Sequence, residues 1–336
     1  MSDDVTQIQA TQVSAGRAAC SHFCVGGVSV RLTGNDSAAV ALVPSLMPFR
    51  ARRRLSDVNI RVEWVGKLSA KPGLQLFDSG ALWRLYECEL GFQFDFSAPV
   101  FGDQPYKRLI VDPDFSCATL QVSEEVFAAF PFAAPLDYPL DELLIMHRLT
   151  QEKAIELHSC GIVRLDGTGN LFVGHSGAGK STTTRLWTAR EDVEVLSDDR
   201  IIVRREADQQ HKVLRLREDC ASPTSHSAQD DRRERDFKMR MYGTPWHGEA
   251  MYASPGSAPL ARIFILEHGH GNVLTQLSPS QAVAELFARA FVPFHRHEYV
   301  ESALEFLQEV VAAVPCYRYA FEPNESAVER ILEFRD

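Results

Sequence analysis

The chain has no uninterrupted apolar run that approaches the length of a membrane span. Its opening residues, Met1-Ser2-Asp3-Asp4-Val5, are acidic and carry no apolar core of a secretory leader. The expectation is a soluble, cytoplasmic protein with no membrane partner. Positive charge is also short. Lys and Arg number 35 against 45 Asp and Glu, a net charge of −10, whereas a nucleic-acid partner demands a basic surface. That balance still permits a local basic site for a nucleotide. The seven cysteines, Cys20, Cys24, Cys88, Cys117, Cys160, Cys220 and Cys316, are odd in number and scattered, which suits reduced thiols rather than a disulfide framework. Cys20 and Cys24 imitate half a zinc site, but no second pair stands at finger spacing. There is no internal repeat, no low-complexity tract and no Asn-Lys-x-Asp guanine-reading motif.

What is present is an ordinary composition, 45% apolar and 24% charged over 336 residues, enough for two domains with a core in each. Residues 1–18 are polar and are expected to fray. From 23 to 122 the pattern is mostly strand, with alternating or apolar-aromatic runs at 25–32, 58–65, 82–89, 108–111 and 118–122. These predict an antiparallel, β-rich N-terminal domain over 1–137, with the basic run 50–54 as a solvated loop. The Pro-rich 131–139 stretch reads as a linker, and the second domain, 138–336, opens on a helix at 140–147 with acids in its first turn. A strand pair, 154–163 and 170–173, is joined by the turn Asp166-Gly167-Thr168-Gly169. Strands follow at 193–197 and 201–204. The charged stretch 206–238 reads as a flexible insertion. Strands at 239–242, 261–266 and 316–321 and helices at 282–290, 301–313 and 326–334 complete the chain. Ser278-Pro279-Ser280-Gln281 is a capping box for the first of these helices.

Everything else is organised around Gly174-His175-Ser176-Gly177-Ala178-Gly179-Lys180-Ser181, which satisfies G-x-x-x-x-G-K-[ST] at each fixed position. An apolar strand leads into it, and a helical run beginning at Thr182 leaves it. The glycines let backbone N–H groups close on phosphate oxygens, and the helix aims its positive end at the same anion. Lys180 can reach the β- and γ-phosphates, and the Ser181 hydroxyl can hold Mg²⁺. ATP and Mg²⁺ are therefore the expected cofactors.

Phosphoryl transfer also needs a group that orients or deprotonates the acceptor. Asp198 and Asp199 end a strand that comes one helix after the loop, so their carboxylates should return to its mouth. One acid suffices for the metal. The second is free to take a hydroxyl proton, with its pKa expected to rise beside the like charge. His158 lies on the strand before the hairpin, and the hairpin carries it back toward the phosphates, to meet an acid or the γ-phosphate. A core histidine fits its position equally well.

The order His158, the glycine-rich loop, then Ser197-Asp198-Asp199-Arg200 resembles the catalytic domain of HPr kinase/phosphorylase, which is distantly similar to ATP-dependent phosphoenolpyruvate carboxykinase. Across 158–336, with Gly243-Thr244-Pro245-Trp246-His247-Gly248-Glu249 and the segment 287–294, the chain looks closer to HPr-kinase-like proteins of bacteria, which commonly carry an extra N-terminal domain; some relatives phosphorylate serine in a ribosomal peptide. The resemblance implies a P-loop kinase fold over 138–336. Lys180 would bind phosphates and Ser181 the metal. Asp199 would be the general base, with Asp198 on the metal side. His158, or its neighbour Ser159, would be the assisting histidine position, and Glu249 would complete the metal site. His247 is a further candidate beside Glu249, and Arg289 and His295 are candidates for the acceptor side. The basic loop by which HPr kinase docks its partner has no counterpart here, so HPr is not carried over as acceptor. The expected partners are a nucleotide and a hydroxyl acceptor, a serine of a peptide or protein or else a small molecule. A homo-oligomer is compatible with the sequence. The rival readings are a nucleotide sensor without a dedicated acceptor and, last, a carboxykinase, for which 138–336 is short.

Overall fold

The computed structural model describes residues 19–52, 55–68, 73–102, 104–129, 134–190, 192–206 and 238–335. The expected frayed terminus, most of the 206–238 insertion, part of the Pro-rich linker and Cys220 fall outside them. The chain is a mixed α/β protein built on two large sheets. Among the described residues no helix is long and apolar enough to cross a membrane.

The first sheet holds β1 (Ala19–Val25), β2 (Val28–Gly34), β3 (Val58–Val65), β4 (Leu74–Asp78), β5 (Trp83–Cys88), β6 (Gly91–Phe96), β7 (Lys107–Val111) and β8 (Cys117–Ser123). Its order is β1-β2-β3-β8-β7-β6-β5-β4. Alternation is strict where it counts: in β2, Val28, Val30 and Leu32 are buried while Ser29, Arg31 and Thr33 are half-buried, the period-2 signature of a one-sided sheet. The sheet is not wholly antiparallel as expected. β3 runs parallel to both β2 and β8, because the chain crosses over after β2 instead of turning back in a hairpin.

A short helix, α1 (Glu124–Ala128), follows β8, and α2 (Leu140–Leu149) then packs its apolar face on the first sheet. That core also takes in Ala154, Ile202 and Trp246, so packing does not divide at residue 138.

The second sheet is made of β9 (Ala154–Val163), β10 (Gly169–Val173), β11 (Glu194–Ser197), β12 (Arg200–Glu206), β13 (Lys238–Gly243), β14 (Ser257–His268), β15 (Val273–Gln276), β16 (Ala290–Phe291) and β17 (Cys316–Phe321). The helices among them are α3 (Lys180–Thr188), α4 (Pro279–Phe287), α5 (His297–Ala313) and α6 (Glu325–Glu333). β9 is long enough to serve two neighbourhoods. Its first half pairs β12 and β16, and its second half pairs β10 and β11. β10 lies between β9, antiparallel, and β14, parallel. The capping box of α4 forms as read, with the Ser278 hydroxyl and the Gln281 side chain each meeting the other's backbone N–H. α5 begins one turn earlier than its apolar spacing suggests.

An aromatic cluster joins the two halves. His147 of α2 is 1% exposed, 4.8 Å from the Phe115 ring, 5.2 Å from Phe94 and 5.2 Å from His295. Its Nδ1 donates to the Leu143 carbonyl at 2.6 Å, and its Nε2 has no partner among the described residues. Burial, against the pull of that carbonyl, lowers the pKa from 6.5 to about 3, and burial beside Arg296 lowers that of His295 to about 4. The unfolded chain therefore takes up protons below about 6.5 that the folded chain refuses until about 3 to 4. This contribution to stability is complete above 6.5 and shrinks as pH falls toward 3. The expected result is that Tm drops between pH 6.5 and 4, and drops less in His147→Phe. Equal slopes in a thermal-melt series would exclude this pair as the cause.

Candidate active site

The 174–181 loop starts where β10 ends. The Gly174 N–H donates to the His158 carbonyl at 3.2 Å, tying the loop's foot to β9. Gly177 and Gly179 hold φ of +82° and +101°, backbone shapes that side chains resist. A Cβ on Gly174 would stand 2.7 Å from that of Ala178 and 3.5 Å from that of Leu266, so the loop's foot has no room for a side chain. His175, Ser176 and Gly177 face solvent, Ala178 is buried, and Ser181 and Thr182 are half-buried at the start of α3. Lys180 is 6% exposed, and its Nζ donates to the carbonyls of Gly174 at 3.0 Å and His175 at 3.2 Å. Burial lowers its pKa, countered first by Asp199 and then by Cys160. The amine thus sits folded back inside the loop, near the acid that follows β11. Cys160 beneath it is fully buried, and burial pushes its thiol up to about 12, which leaves it an inert core group.

β12 pairs with β9 so that Arg200 stands opposite His158. The pairing is continued by the Ser159 N–H, which donates to the Asp199 carbonyl at 3.0 Å. His158 Nε2 then meets Asp199 Oδ1 at 2.8 Å, both side chains half-buried. Because the ionised carboxylate only accepts, the imidazole carries its proton on Nε2. Ser159 is fully buried, and its hydroxyl donates to the Leu157 carbonyl at 3.0 Å. Of the two candidates at this place, the histidine is the one that faces the acid.

The other oxygen of Asp199, Oδ2, pairs with the Arg200 guanidinium. Arg200 in turn reaches Glu142 Oε1 of α2 at 2.7 Å and Glu156 Oε1 of β9 at 3.5 Å, and lies 4.1 Å from the Phe291 ring centroid. Burial, followed by the nearby Glu142, pushes the fully buried Glu156 well above the carboxylate range. For Asp199 burial also pushes upward, but the His158 hydrogen bond and the charges of Arg200, His158 and Lys180 outweigh it and hold the pKa below 3.8. This overturns the expected upward shift.

Asp198 is held by backbone N–H groups. Its carboxylate, 1% exposed, accepts N–H bonds from Gly248 at 3.0 Å, Ala250 at 2.8 Å and Tyr252 at 3.2 Å. It clamps the 248–252 turn, and its charge acts on both Lys180 and Cys160. Ser197 helps to set the two acids apart, its Oγ accepting from the Asp199 and Arg200 N–H groups at 3.3 and 3.2 Å. Glu249 and His247 are exposed on the clamped turn. Among the described residues no group of three or more His, Cys, Asp or Glu stands ready to hold a metal. Of the acceptor-side candidates, Arg289 pairs with Glu285 at 2.6 Å and its carbonyl accepts from the His158 N–H at 2.8 Å, while His295 packs against Phe92 and Tyr299, both at 5.4 Å.

Two contributors, Glu142 and His268, carry no site signature in the sequence. Arg200 was visible as the fourth residue of Ser-Asp-Asp-Arg, but its partner Glu142 was readable only as a helix-start acid. His268, at the end of β14, donates through Nε2 to the Gly177 carbonyl at 2.8 Å and stacks on Phe321 at 6.2 Å. Its sole signal is the turn His268-Gly269-His270-Gly271-Asn272.

No family model matches this chain, and no curated protein matches it.

Proposed function

We propose that this protein is a Mg–ATP-dependent kinase that transfers the γ-phosphoryl group to a hydroxyl, on a serine of a peptide or protein, using a P-loop domain of HPr-kinase type preceded by a β-rich domain. The observation that carries the reading is the 2.8 Å His158–Asp199 pair at the foot of a glycine-rich loop whose lysine is electrostatically linked to the same aspartate. A loop that only bound a nucleotide would not need this second constellation.

The residues present suit the cofactors. Gly177 and Gly179 give the loop the positive-φ shape of a phosphate-binding turn, and the Lys180 amine holds carbonyl oxygens that phosphate oxygens can replace. Mg²⁺ would be held by the Ser181 hydroxyl and a strand-end acid, for which Asp198, whose charge acts on Lys180, is the candidate. When bound, the ion neutralises charge gathering on the phosphoryl oxygens. Lys180 swings from the loop carbonyls onto the β- and γ-phosphates. Asp199 accepts a hydrogen bond from the acceptor hydroxyl and aims its oxygen at phosphorus. The new O–P bond forms as the bond to the β-phosphate oxygen breaks, and the hydroxyl proton passes to Asp199. A carboxylate of low pKa is adequate, because in a loose transition state the proton leaves late and orientation matters most. His158 holds Asp199 Oδ1 in place.

Lys180→Ala is expected to weaken Mg–ATP binding and to lower turnover together, since the amine meets the phosphates before and during transfer. Calorimetric titration and steady-state kinetics measure the two. An alanine variant that binds and turns over like the wild type would overturn the assignment.

A further inference from the structure

We propose that the exposed imidazole of His268, backed by Phe321, is the platform on which the base of the nucleotide stacks; this rests on the kinase reading for the presence of a nucleotide. The sheet sets the direction. At the end of β10 where the loop begins, the β9–β12 flank carries His158, Asp199 and Arg200. The opposite flank is β14 and then β17, both parallel to the loop strand's direction, with His268 paired to Phe321 at their ends. The loop spans the two. Its foot is tied to the Asp199 side by the Gly174 N–H on the His158 carbonyl at 3.2 Å, whereas the Gly177 carbonyl is held by His268 and a Cβ on Gly179 would meet Phe321 Cζ at 2.5 Å. A γ-phosphoryl group presented to Asp199 must therefore trail its α-phosphate, ribose and base toward β14 and β17.

There the chain offers a flat surface of the right kind. The His268 ring lies 25° from the plane of Phe321, with centroids 6.2 Å apart. Phe321 is 1% exposed while His268 is exposed, so one ring face is backed by the core and the other is open. The hydrogen bond to Gly177 fixes the ring's orientation without using its face. The turn that bears it is held independently, the Gly271 N–H donating to Glu322 Oε1 at 2.8 Å and the Glu322 N–H to Asn272 Oδ1 at 2.8 Å. A rigid aromatic face beside a phosphate cradle suits a heteroaromatic base, which stacks on it with little regard for the base's edge.

The test compares Mg–ATP with Mg–tripolyphosphate, which keeps the three phosphates and lacks a base, by calorimetry on the full chain. His268→Ala is expected to weaken ATP roughly 5- to 100-fold, the span of a lost base stack, and to leave tripolyphosphate unchanged. His268→Phe, which restores the ring but not the bond to Gly177, is expected to hold ATP within about threefold of wild type. Equal weakening of both ligands by His268→Ala would make the residue a loop support and overturn the proposal, as would no change in either. A wild-type chain that binds neither ligand would instead remove the nucleotide reading on which the proposal stands.

Discussion

Asp199→Asn is expected to lower kcat by roughly 10²- to 10⁴-fold, the usual cost of a positioned base, while Mg–ATP affinity stays near that of the wild type. The split follows from the site's layout. The loop and Lys180 hold the nucleotide, whereas Asp199 faces the acceptor and makes its contribution during transfer. Asparagine keeps the size and can still meet His158, but one face of the amide now donates and the proton has no base to receive it. It also loses the charge that pairs with Arg200. Single-turnover kinetics beside ATP titration separate the two quantities. Unaltered turnover would remove Asp199 as base, and a matched loss of ATP affinity would move it to the nucleotide side.

The second large effect is on stability. Arg200 is the cation between Asp199, Glu142 and Glu156, with its side chain 15% exposed. Arg200→Met removes that charge and leaves Glu142, 11% exposed, without its 2.7 Å partner. Breaking one side of a buried pair costs about 3–5 kcal/mol, because the remaining carboxylate has lost both water and partner. Urea unfolding of Arg200→Met is expected to fall by that order, with part regained in Arg200→Met/Glu142→Gln, where the stranded charge is gone. Arg200→Lys is not expected to substitute, since an ammonium cannot reach three carboxyl groups in the plane of a guanidinium. An unchanged unfolding midpoint in Arg200→Met would show that the network carries no net stability.

How much of this was legible in the sequence depends on the distance over which each feature is encoded. The loop's shape is written in consecutive residues, so its glycines and lysine could be read directly. His158 could be placed because a short hairpin returns it to the loop, and Asp199 because one helix and one strand bring it back. Asp198 could not be separated from Asp199, since its partners are backbone N–H groups of 248–252, which carry no side-chain signature. The Arg200–Glu142 contact joins β12 to a helix that precedes β9, and its second carboxyl sits among apolar residues of a strand. His295 looked like a site residue by order along the chain, but the aromatic cluster with Phe92 and His147 claims it. In the first sheet, alternation disclosed which residues point inward but not that β3 would run parallel to its neighbours, which the crossover decides.

The most direct measurement is incubation with ATP labelled in its γ-phosphate and Mg²⁺, together with the peptides and proteins encoded beside the gene. The account predicts label on a hydroxyl side chain of one acceptor with the wild type, appearing roughly 10²- to 10⁴-fold more slowly with Asp199→Asn. Label appearing only as free phosphate with every acceptor would contradict it and leave a nucleotide-binding protein without phosphotransfer.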